Sequence, residues 1–260
     1  MGARWSPPSP TLRVLPVLRR HVLVWRKLMV PSLFANIADP LITLVAFGYG
    51  LGRLLPEVAG VPYIVFLAAG SICMSTMMAA SFESLYSAFS RMHVQRTWES
   101  LLNAPLTLDD VLGAEWLWAA GKACLSGVSI LLVAVALGVS REWTLLALLP
   151  VIVLTATAFS ALGLCINALA RGYDFFSYYF TLVLTPMGFL SGVFFPVTQL
   201  PGWLQSVSAV LPLTAAIELA RPLVLGQWPA EVLRPVVVLL AYAGLGFWLA
   251  TVLTRRRFAA

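Results

Sequence analysis

Apolar residues run almost unbroken through six stretches of this chain, at about residues 33–54, 61–89, 111–139, 144–169, 175–195 and 233–253. Short polar or Gly/Pro-containing turns separate several of them, at Gly52-Arg53 and Pro56, at Ser140-Arg141-Glu142 and at residues 171–174. Each run supplies the roughly 20 apolar residues that a helix needs to cross a hydrocarbon core about 30 Å thick. A barrel would show short segments of alternating hydrophobicity, so long continuous runs leave only helices. The pattern predicts an all-α membrane protein in one domain over residues 1–260, with six transmembrane helices and no internal repeat.

Three segments outside the spans have patterns of their own. Between about residues 11 and 29, Leu15, Leu18, Val22 and Trp25 recur at helical spacing, with Arg19, Arg20, Arg26 and Lys27 elsewhere on the surface. That is the signature of an interfacial helix lying on an anionic membrane surface, a membrane-lipid contact. The start of the chain is basic, but it lacks a compact apolar stretch followed by a small-residue cleavage site, so it is expected to remain in the mature protein. In the second segment, about 96–104, Trp98, Leu101, Leu102 and Pro105 follow i, i+3, i+4, i+7, and Gln95, Arg96, Glu99 and Asn103 lie off that line. Two readings stand: a linker resting on headgroups, or a helix that docks a cytoplasmic partner. Thr107 and Asp110 beyond it resemble a capping box, and Asp109 and Asp110 favour the positive N-terminus of the third span. The third segment, about 200–226, is interrupted by Pro201, Pro212 and Pro222. It predicts two short helices, 203–210 and 214–225, in a re-entrant hairpin, because broken helices survive in a membrane only where protein or water satisfies their backbone. Glu218 and Arg221, three apart, are expected to lie together on one helix face.

Composition agrees with the pattern: 60% of residues are hydrophobic and 11% charged, outside the range of soluble domains. The net charge of +6 does not indicate nucleic acid, because its sources sit beside the apolar runs, where topology signals belong. One side collects Arg4, Arg13, Arg19, Arg20, Arg26, Lys27, Arg91, Arg96, Arg171 and Arg255 to Arg257; the other holds Arg53, Arg141, Arg221 and Arg234. Both termini and the 96–104 segment are therefore expected in the cytoplasm. Cys73, Cys124 and Cys165 fall inside apolar runs and read as buried free thiols. His21 and His93 read as solvated surface histidines.

Charges inside spans are costly, which singles out Glu83 in the second run and Lys122 in the third. Structural pairing or snorkelling is one reading and a place on a substrate path is the other. Asp39 beside Pro40 reads as a headgroup-level residue. Tyr173, Phe175, Phe176, Tyr178, Tyr179, Phe180 and Phe189 cluster around the fifth run; such rings stack on sugars and pack on acyl chains, and they also serve as core and interfacial anchors. No motif for hydrolysing ATP is present. Gly121-Lys122 imitates the end of a phosphate loop, but Trp116, Leu117 and Trp118 precede it and Ala123 replaces the metal-binding hydroxyl. A secondary carrier would need matched broken spans and a midplane carboxylate, and a membrane enzyme would need convergent catalytic groups; neither pattern occurs.

The segments RMHVQRTWESLLNAPLTLDDVLGAEWLWAAGKA, SGVFFPVTQLP and LPLTAAIELARPLVLGQ resemble the corresponding parts of NodJ-type permeases in the type-2 ABC exporter superfamily, and the likeness extends over essentially the whole chain. The resemblance implies a bacterial inner-membrane, homodimeric permease with two copies of a separate NodI-type ATPase. It implies no cofactor in this chain, with ATP and Mg²⁺ bound by the partner. The substrate class it implies is a lipo-chitooligosaccharide, while wider relatives move polysaccharides, lipids or hydrophobic drugs. It makes 96–104 the coupling helix, with Arg96, Trp98, Glu99, Leu101 and Leu102 as ATPase-docking residues. Candidates for the translocation path are Glu83, Lys122, Phe176, Tyr179 and Phe180. The resemblance also places the hairpin at the outer mouth, with Pro212, Glu218 and Arg221 as gate candidates.

Overall fold

The computed structural model describes residues 5–27, 29–31, 41–42, 44–54, 57–58 and 60–259. Much of the first predicted span, Asp39 included, lies outside the described residues. Helix α1 (Val14–Arg26) is followed, beyond a two-residue β-hairpin pairing Glu57 with Pro62 and Val58 with Val61, by the long helix α2 (Tyr63–Val94). Next come the short helix α3 (Thr97–Leu102), then α4 (Leu108–Ala136) and α5 (Trp143–Leu169). Helix α6 covers residues 174–190 in three joined pieces, with a π-helical turn at Phe180–Leu184. Helices α7 (Gly202–Ser208) and α8 (Pro212–Val224) meet at 87°, and α9 (Leu233–Phe258) completes the chain.

Among the described residues, α2, α4, α5 and α9 are long and apolar enough to cross a membrane, and the bent α7–α8 pair is a fifth candidate. The fifth predicted run, expected over 175–195, is helical only to Leu190, a length of roughly 25 Å at 1.5 Å per residue. It stops there because Gly192 adopts φ of 81° and turns the chain. The turn then lies flat against α2: a Cβ on Gly70 would come within 2.8 Å of the Val193 backbone, so only glycine allows that approach.

Other boundaries shift for identifiable reasons. Helix α4 starts at Leu108, three residues before expectation, because Thr107 and Asp110 form a reciprocal capping box. Helix α9 continues through Arg255, Arg256 and Arg257, beyond the expected end of the sixth span at about residue 253. Arg257 donates to the Asn167 and Ala168 carbonyls at 2.9 and 3.1 Å, satisfying groups left open at the C-terminus of α5. Helix α2 runs past residue 89 through two π-helical turns, Glu83–Ser87 and Ser90–Val94. The Asn167 amide donates to Ser84 O at 2.8 Å and so occupies a carbonyl within the first of these turns.

The core forms where α9 packs on α5 and where α2, α4 and α5 meet, with Phe66, Leu67, Ile72, Leu112, Ile130 and Phe159 fully buried. One end of the bundle gathers α1, α3, the start of α4 and the end of α9, and with them most of the basic residues. Asp109 accepts from Ser9 N at 2.9 Å and from Arg255 Nε at 2.9 Å, and Asp110 accepts from Thr11 N at 2.6 Å. Two acidic side chains at one helix start thus strap the N-terminal segment to the last helix.

Candidate functional site

The basic end encloses a set of charged side chains built from four elements. Helix α2 contributes Glu83 and Arg91, each in a π-helical turn, which places them on the side facing α4. Helix α4 contributes Glu115, Trp118 and Lys122, spaced i, i+3, i+7 and so on one face. Arg91 bridges both carboxylates: Nε donates to Glu115 Oε1 at 2.9 Å, and Nη1 and Nη2 each donate to Glu83 Oε1 at 3.1 Å. Lys122 Nζ donates to Glu83 Oε2 at 2.8 Å, and Trp118 Nε1 donates to Glu83 Oε1 at 3.0 Å. Glu83 is 3% exposed and Glu115 1%, so both carboxylates depend on these donors. Two carboxylates and two cations leave the set neutral, the condition under which ions persist in low dielectric.

Two further elements close the set. The indole of Trp98 in α3 donates to Glu115 Oε1 at 3.0 Å, and its ring stacks 6.2 Å from Phe258 at the end of α9. From α1, His21 lies 3.5 Å from Glu115 and stacks on Trp118 at 5.6 Å. Burial pushes the His21 imidazole below its ordinary value, against the upward pull of Glu115.

These contacts revise several expectations. Trp98, expected on the docking surface, is buried against Glu115, whereas Arg96 and Glu99 are exposed and Leu101 and Leu102 are half-buried. The helix itself is shorter than expected, because Arg96 takes a left-handed conformation with φ of 50° and starts it at Thr97. His21, expected to be solvated, is 5% exposed; its aromatic neighbours Trp25 and Trp118 cover it. His93 is exposed, contacts Arg257 and packs on Phe89. Glu83 and Lys122 form an ion pair. The structural role of Arg91 and Glu115 was missed; the face made by residues 115, 118 and 122 was the available signal.

Beside this set, Phe82, Tyr86 and Phe89 of α2 meet Tyr173, Phe176 and Phe180 of the α6 region. Tyr86 stacks on Phe82 at 4.7 Å and on Tyr173 at 6.0 Å, and meets Phe176 edge-on at 5.2 Å. Phe176 is fully buried and Tyr179 nearly so, while Phe180 is half-buried and Phe82, Tyr173 and Tyr178 are exposed. A shallow recess nearby is lined by Leu169, Arg171, Gly172, Asp174, Phe175 and Tyr178.

At the opposite end, Pro212 opens α8 and is buried. Glu218 and Arg221 do not pair as expected. Glu218 points out to the exposed surface, whereas the Arg221 guanidinium lies 3.8 Å from the centre of the Phe66 ring and donates to the Gly192 carbonyl. The Gly192 carbonyl accepts from the guanidinium and the Phe66 ring of α2 lies against its face, so the cation is held without the exposed carboxylate.

The description of the ABC-2 type transporter family matches residues 17–225. The chain belongs to the ABC-2 type transporter family. It is 48% identical over 250 residues to nodulation protein J of Rhizobium leguminosarum bv. viciae, covering 96% of each chain. To nodulation protein J of Rhizobium meliloti (strain 1021) it is 46% identical over 241 residues, covering 93% of this chain and 92% of that protein. To the inner membrane transport permease YadH of Escherichia coli (strain K12) it is 31% identical over 210 residues, 77% of this chain and 76% of the relative. The chain is thus a multi-pass ABC transporter permease, a transport subunit and not the ATPase.

Proposed function

We propose that this permease exports an amphiphilic glycolipid of the lipo-chitooligosaccharide class out of the cytoplasm across a bacterial inner membrane. It does so as a homodimer with two copies of a NodI-type ATPase, in which ATP and Mg²⁺ are bound. The observation that carries this reading is the 48% identity to a nodulation protein J across 96% of both chains. The aromatic cluster between α2 and α6 and the recess beside it support this reading: exposed rings such as Phe175 and Tyr178 suit sugar faces and acyl chains, and Arg171 and Asp174 offer polar contacts next to them.

In this reading the exposed side chains of Glu99 in α3 and of Arg96 just before it receive the ATPase, and both termini lie in the cytoplasm. The α7–α8 hairpin closes the outer mouth, held by Arg221 on Phe66. The similarity to YadH supports a second reading, a type-2 permease for a polysaccharide, lipid or hydrophobic drug.

The test is ATP-dependent uptake into inverted vesicles carrying the permease and a NodI-type ATPase. Acylated chitotetraose should accumulate, and unacylated chitotetraose should not. Equal uptake of both, or uptake only of a lipid or drug probe, would favour the second reading.

A further inference from the structure

We infer that Trp98 and Glu115 fasten the docking helix α3 to the α2–α4 pair, so that displacement of α3 reaches the membrane helices through this buried contact. The inference rests on the reading that α3 receives the ATPase, and adds how its motion would pass inward. Helix α3 is six residues long and exposes Glu99 and Ser100, so it has little packing of its own. Its inward attachments are specific. Trp98 Nε1 donates to Glu115 at 3.0 Å, and Thr97 Oγ1 donates to the Arg91 carbonyl at 2.8 Å. Arg91 and Glu115 are themselves joined through two guanidinium nitrogens, and Arg91 continues to Glu83 and on to Lys122.

Glu115 is therefore shared between the docking helix and both membrane helices. A carboxylate 1% exposed cannot drop one donor for water as α3 moves, because no water reaches it. Helix α3 and the paired segment of α2 and α4 must then shift together or break a buried bond. Packing alone would let α3 slide over its neighbours. In this arrangement Trp98 and Glu115 are positioning residues and touch neither nucleotide nor substrate.

The experiment uses the full permease with its ATPase in vesicles, after replacement of Cys73, Cys124 and Cys165. Spin-label pairs at Ser100 and Trp143, and at Leu117 and Trp143, report α3 and α4 against the far end; Leu117 and Trp143 are both exposed. In the unsubstituted background, ATP with vanadate should shift both distances. In Trp98→Phe, which keeps the ring and removes the donor, the Ser100 distance should still shift and the Leu117 shift should fall by at least half. Glu115→Gln retains an acceptor for Trp98 but weakens the hold on Arg91, and should give the same split. An undiminished Leu117 shift in Trp98→Phe would overturn the inference. Loss of ATPase capture by an unaltered Trp98 permease bearing Glu99→Arg tests the docking reading separately. If capture survives and Ser100 never moves, that reading falls and the inference with it.

Discussion

Trp98 and Glu115 lie on different helices, 17 positions apart, and meet through a 3.0 Å hydrogen bond from indole to carboxylate with both side chains about 1% exposed. The bond turns the largest apolar residue of the short helix α3 inward, leaving Glu99 and Ser100 to face outward.

Substitutions on the two faces of that helix should therefore separate. Glu99→Arg should reduce capture of the ATPase while leaving the thermal midpoint of the permease within about 1 °C, since surface changes usually fall within about 0.5 kcal/mol. Trp98→Ala should instead destabilise the permease by about 3–5 kcal/mol, as for other large buried aromatics. Co-purification and thermal unfolding in detergent measure the two effects, and equal behaviour of both variants would contradict the burial of Trp98.

The buried charges should rank by how many partners each satisfies. Glu115→Ala strands donors on Arg91 and Trp98 together and should cost about 3–5 kcal/mol. Lys122→Met removes one donor from Glu83, which keeps Arg91 and Trp118, and the lysine side chain is 25% exposed. Its cost should be about 1–2 kcal/mol. The order of unfolding midpoints tests the ranking, which a larger loss for Lys122→Met would reverse.

Acid should loosen the contact between α1 and α4. The His21 imidazole titrates below its ordinary value of 6.5 because burial disfavours its charged form, so the unfolded chain binds a proton more readily than the folded one. This contribution to stability is complete above pH 6.5 and is lost as pH falls from 6.5 towards the depressed folded value. Thermal midpoints measured from pH 7.5 to 5 should fall more steeply for the native permease than for His21→Gln; parallel curves would remove His21 from the explanation.

At the other end, Arg221→Gln should weaken the hold of α8 on Phe66 and the Gly192 turn, whereas Glu218→Gln, at an exposed position, should change little. Proteolysis within residues 192–201 should speed up several-fold in the first variant only. Matching rates would show that the cation on the ring does not hold the turn.

Single cysteines at Ser100, Trp143 and Trp203, in a background without the three native thiols, report which end faces the cell exterior. A membrane-impermeant reagent applied to intact cells should label 143 and 203, both highly exposed, and spare 100. Labelling of 100 from outside would invert the assignment of the basic end.

Much of this architecture is local and therefore written in the sequence. A run of apolar residues must become a helix in lipid wherever it falls, because its backbone has no other partner for its polar groups. The Thr107–Asp110 capping box involves residues three apart and was legible for the same reason. The prolines that break 200–226 likewise announced the bend between α7 and α8, since each removes a donor and fixes its own φ. The direction of a side chain on a short helix is different. Trp98 lies on the apolar stripe of its helix, but whether that stripe faces an ATPase or the rest of the permease depends on where α4 presents Glu115. Arg221 was expected beside Glu218 from their spacing, yet it took the Gly192 carbonyl and the Phe66 ring from segments 29 and 155 positions away in the chain. The sequence by itself determined which long stretches are helical and where a capping box starts or prolines break them, because those are decided by neighbours within a few residues. Only the tertiary structure decided which buried charge meets which partner, because in low dielectric that choice follows from the donors that distant helices bring within about 3 Å.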